Sequence, residues 1–345
     1  ELKFFFKNAE PSVIVCDAEN HHKIMPLAKA SKVINIETLN GDGSGSLIDN
    51  SNNSSTEFNQ LSRSENDHAA LLYSSGTTGV PKGITLTHGN LLSNAMCLKQ
   101  VWGITQTDHL LHCLPTFHVH GLFISLGAIL LSGASMRWLA TFKTDKVIKY
   151  LPECTVMMGV PTYYTRLLDD PLFSKQVSAN IRLFISGSAA LKEDTFYLFE
   201  QRTGHRILER YGMTETNINT SNPLNGERKP GTVGLALPNV EIRIVDDLGR
   251  TLPIGDIGNI QVRGPNVFTG YWHLPDKNDE AFTKDHYFDT GDKGQIDTKG
   301  YVSIVGRTKD LIISGGLNIY PKEIEIVLDT IPGVKESAVI GLPHT

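Results

Sequence analysis

The chain has 345 residues, of which 40% are hydrophobic, and its 32 basic and 37 acidic residues give a formal net charge of −5. This length predicts about two domains with a sizeable buried core, and the lack of a basic stripe argues against nucleic acid as a partner. No apolar run is long enough to span a membrane, because Ser125 and Gly127 interrupt the longest one.

The cysteines Cys16, Cys97, Cys113 and Cys154 are isolated, without CxxC spacing or a companion histidine cluster. They indicate reduced thiols in a cytosol-like compartment, not disulfides or a zinc site. The chain opens on Glu1, so we expect a fragment whose targeting segment, if it has one, lies upstream. We therefore expect a cytoplasmic protein, with mitochondria or another organelle as the open alternative.

The N-terminal stretch ELKFFFKNAEPSVIVCDAEN predicts a helix and then a strand. Residues 39–68 are rich in Ser and Asn and poor in apolar residues, which predicts a long surface loop. The GDGSGS within it imitates a dinucleotide-binding fingerprint. We expect no such site, because no strand is predicted before it and no helix after it.

The run YSSGTTGVPKG, from Tyr73 to Gly83, combines glycines and hydroxyl side chains with one lysine. An apolar strand is predicted before it and the helix THGNLLSNAMCLKQ after it, a setting that suits anion binding. The spacing of Gly76 and Gly79, and Gly83 directly after Lys82, exclude the P-loop of NTPases. We interpret the run as a phosphate-holding loop, whereas a solvated hairpin would explain it equally well if it stood alone. Its hydroxyl donors are Ser74, Ser75, Thr77 and Thr78.

From residue 69 to about 240, apolar runs such as VMMGVP and RLFISGS alternate with helical stretches. This alternation predicts a layered α/β core with a substantial parallel sheet. The later segments VEIRIVDDLGRTLP and NIQVRGP predict shorter β segments.

Three more motifs follow in order: YGMTE at 211–215, YFDTGD at 287–292 and GYVSIVGRTKDLIISGGLNIYPKEIE at 300–325. Tyr211 offers an aromatic face to a purine, Thr214 a hydroxyl to phosphate, and Glu215 a hard carboxylate to Mg2+. Asp292 could accept both hydroxyls of a ribose, although a turn-capping Asp is the plainer interpretation.

Together with the glycine loop, these motifs resemble the acid:CoA ligase branch of the adenylate-forming enzymes. The resemblance implies a large N-terminal domain, residues 1–308, joined at the hinge Lys309 to a small α+β domain, of which residues 309–345 are only the start. It also implies ATP, Mg2+ and CoA as reactants. The family's adenylation lysine, in a PxGK setting, has no counterpart here.

The resemblance also implies roles for individual residues. The implied catalytic residues are Thr78, Lys82, His118 and Glu215, with Glu215 as the metal ligand. Gly315 and Gly316 are implied to line the tunnel for CoA. The implied nucleotide-binding residues are Ser74, Ser75, Gly76, Thr77, Gly79, Gly187, Ser188, Ala189, Tyr211, Gly212, Met213, Thr214, Asp292 and Arg307.

The family resemblance places Arg210 and His120 in the wall of the acyl pocket, with Ser186 nearby. A buried cation suits a substrate that brings a second anion, and the stretch from RLFISGSAAL to YGMTE resembles the malonyl-CoA synthetases of the family. Malonate is therefore the expected acid. The alternatives are an ion pair of Arg210 with Glu209 or another acid, a ligase for methylmalonate or another short acid, and a nucleotide-binding fragment without turnover. The sequence predicts no oligomeric state.

Overall fold

The computed structural model describes residues 2–74, 81–314, 317–329, 331, 333–334 and 337–342. The chain divides into two compact units, Glu1–Arg63 and Ser64–Thr345. The predicted hinge, Lys309, lies in a short 3-10 helix, Thr308–Asp310. The boundary between a large and a small domain at this point stays a prediction.

The first unit confirms the predicted order of a helix followed by a strand. Its two short strands pair in parallel. Its core is small, and the buried residues in it are Ile14, Ala28 and Val33. Its elements are α1 Leu2–Ala9, β1 Val13–Cys16, α2 Ala18–Ala30, β2 Asn35–Thr38 and α3 Ser46–Asn52.

The GDGSGS segment lies between β2 and α3, so the expectation that no strand precedes it and no helix follows it is wrong. Both elements escaped prediction because neither contains a buried residue that would mark an apolar period. Ser46 accepts a hydrogen bond from the Thr38 amide at 2.9 Å and donates one to Glu37 at 2.5 Å. The prediction of one loop over residues 39–68 is wrong where α3 forms within it, whereas residues 53–67 form no helix or strand, as expected.

In its described residues, the second unit contains four sheets. Their strands are β3 His68–Ser74, β4 Lys82–Thr87, β5 His109–His112, β6 Ser135–Trp138, β7 Val156–Gly159, β8 Leu183–Ser186, β9 Leu208–Met213, β10 Asn217–Ser221, β11 Leu235–Ala236, β12 Glu241–Val245, β13 Gly258–Arg263, β14 Gly270–Tyr271, β15 Phe288–Ile296, β16 Val302–Arg307, β17 Ile312–Ser314 and β18 Leu317–Ile319.

The helices of this unit connect and cover the strands. They are α4 His88–Val101, α5 Leu126–Ser132, α6 Thr144–Tyr150, α7 Pro161–Leu168, α8 Glu193–Thr203, α9 Pro275–Ala281 and α10 Pro321–Leu328. A π-helical turn, His120–Ser125, precedes α5, and a 3-10 turn, Leu151–Glu153, follows α6. Among the described residues, no helix is both long and apolar enough to cross a membrane.

The largest sheet has seven strands in the order β11-β10-β9-β8-β7-β5-β6. The strands β6, β5, β7, β8 and β9 pair in parallel. At the other edge, β10 pairs antiparallel with β9, and β11 pairs antiparallel with β10. All four residues of β7 and of β8 are buried, which agrees with a parallel sheet covered on both faces. The prediction of a layered α/β fold is confirmed, and β12, β13, β15 and β16 form the later antiparallel sheet.

The surroundings of the glycine loop differ from the prediction of a strand, a turn and then a helix. A second strand, β4, follows the loop, and Ser74 of β3 lies opposite Lys82 of β4 in an antiparallel hairpin. The helix α4 begins only after β4, where Thr87 and Asn90 form a capping box. The alternation in KGITLT buries Ile84 and Leu86 completely, as expected of a strand. The predicted helix THGNLLSNAMCLKQ, which begins at Thr87, agrees with α4 to within one residue.

Candidate active site

Lys82, Glu215 and Tyr271 lie together at the start of β4. The Tyr271 hydroxyl donates a hydrogen bond to Oε1 of Glu215 at 3.2 Å, and Nζ of Lys82 lies 4.7 Å from the centroid of the Tyr271 ring. Burial raises the pKa of Glu215, whereas the Tyr271 hydroxyl and the charges of Lys82 and Arg307 lower it. The structure thus brings both predicted residues to one tyrosine, the phosphate lysine over the face of its ring and the metal carboxylate at its hydroxyl group.

The arrangement of Glu215 suits a magnesium ion held together with a nucleotide. Across the described part of the chain, no group of three or more His, Cys, Asp or Glu side chains is placed to form a protein-only metal cage. Mg2+ commonly binds one or two carboxylates and completes its octahedron with phosphate oxygens and water. A single buried carboxylate close to a lysine fits that requirement.

Tyr211, Asp292 and Arg307 form a second cluster, which contains the predicted ribose-binding acid. The Tyr211 hydroxyl donates to Oδ2 of Asp292 at 2.5 Å, and Nε of Arg307 lies 3.4 Å from Oδ1. Asp292 and Arg307 are paired across β15 and β16, so the sheet itself fixes their separation. Burial raises the pKa of Asp292, and Tyr211 and Arg307 counter that shift by stabilising the charged carboxylate.

The YGMTE segment turns sharply as β9 ends. Asn217, the first residue of β10, has a φ of +53°, and a side chain at Gly212 would place its Cβ 1.8 Å from the Asn217 carbonyl oxygen. Gly212 is therefore required by this close approach of backbone to backbone. The turn leaves Met213 and Thr214 half-buried between Tyr211 and Glu215.

Arg210 in β9, Ser186 at the end of β8 and His120 in the π-helical turn form a buried polar cluster. In the described part of the chain, Nε and Nη2 of Arg210, Oγ of Ser186 and Nε2 of His120 are buried without a hydrogen-bond partner. Buried polar groups are nearly always paired, so several unpaired ones together indicate a site that a ligand completes. Burial lowers the pKa of Arg210 to about 10, which still leaves the guanidinium charged at neutral pH.

Gly187 and Ser188 shape one side of this cluster. A Cβ on Gly187 would lie 2.5 Å from Cζ of Arg210, so only glycine leaves room for the guanidinium there. Ser188 has a φ of +71°, and its hydroxyl lies 3.2 Å from Nδ1 of His120. Burial and the charge of Arg210 hold the pKa of His120 well below its usual range, so the imidazole is neutral. Ala189 follows on the exposed surface.

Glu209 does not neutralise Arg210, although the two are adjacent. Successive residues of a strand point to opposite faces of a sheet, and Glu209 accepts a hydrogen bond from the Leu191 amide at 3.0 Å on the other face. Burial raises the pKa of Glu209 to about 7, and the nearby Glu193 adds to that shift. The alternative of an ion pair between these neighbours is therefore wrong.

The Glu209→Gln variant is expected to remove part of the pH dependence of stability. The raised pKa stabilises the folded protein fully below about pH 4.3, and this contribution is lost as the pH rises through about 7. The full loss amounts to about 3–4 kcal/mol, of which about 2 kcal/mol falls between pH 5.5 and 8.0. Glutamine keeps an oxygen for the Leu191 amide. Melting temperatures of both proteins at pH 5.5 and 8.0 would test this. Equal shifts between the two pH values in the wild type and the variant would contradict it.

His118 lies near the cluster of Arg210, Ser186 and His120, because its charge helps to lower the pKa of His120. It is exposed, with its ring 4.4 Å from that of Phe117. Lys309 is exposed on its 3-10 turn. Ser74 ends β3 at the base of the hairpin. The predicted residues Ser75, Gly76, Thr77, Thr78, Gly79, Gly315 and Gly316 lie outside the described residues, so their roles stay predictions.

Tyr271 was missed by the sequence analysis. It lies in β14, a strand of only two residues that pairs with β4, and none of the four motifs contains it. No local pattern distinguishes it from the other tyrosines of the chain. Only the pairing of Tyr271 with Ile84, which are far apart in sequence, brings its ring to Lys82.

Comparison with known proteins agrees with this geometry. The family described as AMP-binding enzyme matches residues 1–272. A malonate–CoA ligase of Arabidopsis thaliana is 41% identical over 300 residues, which is 80% of this chain and 48% of that protein. The chain thus spans about half the length of this curated relative.

Two solved structures are similar over the whole chain. The ATP-bound MatB of Rhodopseudomonas palustris is 51% identical with a TM-score of 0.98, and the match covers 100% of this chain and 68% of that one. A malonyl-CoA ligase in a ternary product complex with methylmalonyl-CoA and AMP is 38% identical with a TM-score of 0.77, covering 100% and 72%.

Proposed function

Because the chain belongs to the AMP-binding enzyme family, we propose that its protein is an ATP-dependent ligase that joins malonate to CoA through a malonyl-adenylate. The observation that carries the choice of malonate is the charged, buried guanidinium of Arg210, whose Nε and Nη2 have no hydrogen-bond partner among the described residues. A carboxylate that accepts two parallel hydrogen bonds from Nε and Nη2 would satisfy both atoms at once. Similarity to a malonate–CoA ligase and to MatB supports the proposal.

The first step activates one carboxylate of malonate. Its oxygen attacks the α-phosphorus of ATP, the bond to the β-phosphate oxygen breaks, and pyrophosphate leaves. Lys82 and Glu215 are proposed to hold the phosphates, Lys82 directly and Glu215 through Mg2+, which neutralises their charge when bound. Tyr211 and Asp292 are proposed to hold the nucleoside, the Asp292 carboxylate accepting from the ribose hydroxyls.

In the second step the thiol of CoA attacks the acyl carbon, its proton is lost, and the bond to AMP breaks. Arg210 binds the distal carboxylate throughout, so only the other carboxylate can reach the nucleotide. Ser186 and His120 supply further polar atoms around the same carboxylate. The positions of their unpaired atoms beside Arg210 support this division of the substrate into a held end and a reacting end.

Methylmalonate is the second candidate acid, because a similar malonyl-CoA ligase binds methylmalonyl-CoA as a product. Release of pyrophosphate by the protein from the complete reading frame should be measured with malonate, methylmalonate, acetate and butyrate. We expect kcat/KM for malonate to exceed that for the monocarboxylates by one to two orders of magnitude, the factor that a charge-assisted bidentate pair supplies. Equal values for malonate and butyrate would contradict the assignment.

The rival outside enzymes is a nucleotide-binding protein without turnover. Calorimetry with ATP, performed beside the pyrophosphate assay, separates the two, because the rival binds ATP and releases no pyrophosphate.

We propose the cytosol as the compartment, with mitochondria as the alternative, because the cysteines Cys16, Cys97, Cys113 and Cys154 are all free thiols. Fluorescence microscopy of the tagged complete protein would distinguish these compartments.

A further inference from the structure

Tyr271 is held rigidly by its surroundings. Its residue is only 8% exposed, and its backbone amide donates a hydrogen bond to Oδ1 of Asn278 at 2.6 Å. Phe268 packs against its ring edge to face at 4.9 Å between centroids. Since β14 also pairs with β4, both the backbone and the ring of Tyr271 are fixed relative to the strand that begins with Lys82.

The ring of Tyr271 separates two opposite charges. Its hydroxyl donates a hydrogen bond to Glu215, while the ammonium group of Lys82 lies over the face of its ring. Among the described side chains, no ion pair joins Lys82 to Glu215 directly. A direct pair would commit each charge to the other. The tyrosine instead gives each a weaker partner, a hydroxyl for the carboxylate and a π face for the ammonium group.

We propose that Tyr271 is a positioning residue that keeps Glu215 and Lys82 apart and oriented, so that one is available to the metal and the other to the phosphates of ATP. This inference rests on the proposed function, because it assumes that the two charges serve a metal-bound nucleotide. Tyr271 itself need not touch the substrate. Its two contacts are chemically different, and substitutions can remove one of them without the other.

The test compares Tyr271→Phe with Tyr271→Leu by calorimetry of ATP binding, with Mg2+ and with a chelator. Phenylalanine keeps the ring face for Lys82 and loses only the hydroxyl on Glu215. We expect about tenfold weaker binding of ATP with Mg2+ and unchanged binding without it, from the loss of one hydrogen bond to a charged group. Leucine loses both contacts and lets Lys82 reach Glu215, so we expect weaker binding in both conditions.

Tyr287→Phe is the matched control, because the Tyr287 hydroxyl also donates to a glutamate, Glu241, at 2.8 Å. Its ring also carries cations, with Cζ of Arg243 3.9 Å and that of Arg263 4.4 Å from the centroid. We expect this variant to bind ATP as the wild type does in both conditions. The positioning role is wrong if Tyr271→Phe weakens ATP binding equally with and without Mg2+. It is also wrong if Tyr271→Phe leaves ATP binding unchanged in both conditions. If the wild type itself binds no ATP, the proposed function fails instead.

Discussion

Replacing Arg210 with methionine is expected to lower kcat/KM for malonate at least about tenfold and, at the same time, to raise the melting temperature. The fall in activity follows from the loss of a charge-assisted pair worth about 1.5–3 kcal/mol. The gain in stability follows because Nε and Nη2 are buried without partners in the described structure, and removing an uncompensated buried charge favours folding by about 1–3 kcal/mol. Pyrophosphate release and thermal unfolding of the complete protein measure the two effects.

Two comparisons sharpen this test. Arg210→Lys should recover only part of the malonate activity, because an ammonium group cannot reproduce two parallel hydrogen bonds. Arg206→Met removes an exposed arginine that pairs with Glu200 at 2.7 Å, and it should leave both quantities near their wild-type values. Activity with butyrate should survive in all three variants. An equal fall for malonate and butyrate, together with a lower melting temperature, would show that Arg210 is structural.

The variants Lys82→Ala and Glu215→Gln are each expected to slow adenylate formation by about 100-fold or more while leaving the protein folded. Each removes one fixed charge from the proposed binding site of the ATP phosphates, an effect that commonly costs 10²–10³ in rate. Because the pKa of Glu215 is raised by burial, glutamine should be tolerated at this position without loss of stability. Pyrophosphate release with malonate measures the rate, and circular dichroism checks the fold.

The controls are chosen for similar contacts outside the site. Glu241→Gln alters a carboxylate that also accepts from a tyrosine hydroxyl, and Lys277→Ala removes an exposed lysine paired with Glu280 at 2.6 Å. Both should retain wild-type rates. Wild-type rates in Lys82→Ala and Glu215→Gln as well would remove these residues from the nucleotide site.

The parallel core was predictable because its information is local. Segments such as VMMG and LFIS are apolar throughout, and burial on both faces of a parallel sheet demands such runs. The strand β4 was not predicted, because Lys82 and Gly83 were read as the end of a loop that led directly into a helix. The start of that helix was predicted to within one residue, since THGNLLSNAMCLKQ begins at Thr87 and α4 begins at His88, where Thr87 and Asn90 form the capping box.

The acyl side of the site was predictable in composition but not in pairing. Arg210 and Glu209 are adjacent in sequence, which made an ion pair between them a reasonable alternative. Both lie in β9, where successive side chains point to opposite faces of the sheet, so the two cannot pair. The unpaired state of Arg210 depends on the packing of β8 against β9 and on the missing side chain at Gly187. The contact of Tyr271 with Lys82 depends on a distant strand pairing and left no trace in local sequence.

The pairing of β4 with β14 also bears on how this protein is made. During synthesis, Ile84 and Thr85 leave the ribosome well before their partners Tyr271 and Gly270 exist, a delay on the order of ten seconds or more at ordinary translation speeds. Throughout that interval one edge of β4 lacks its final neighbour, and an unpaired strand edge invites association with other chains. The growing chain should therefore depend on chaperones at intermediate lengths, and ribosome-bound chains that end before residue 270 should aggregate more readily than chains extended past it.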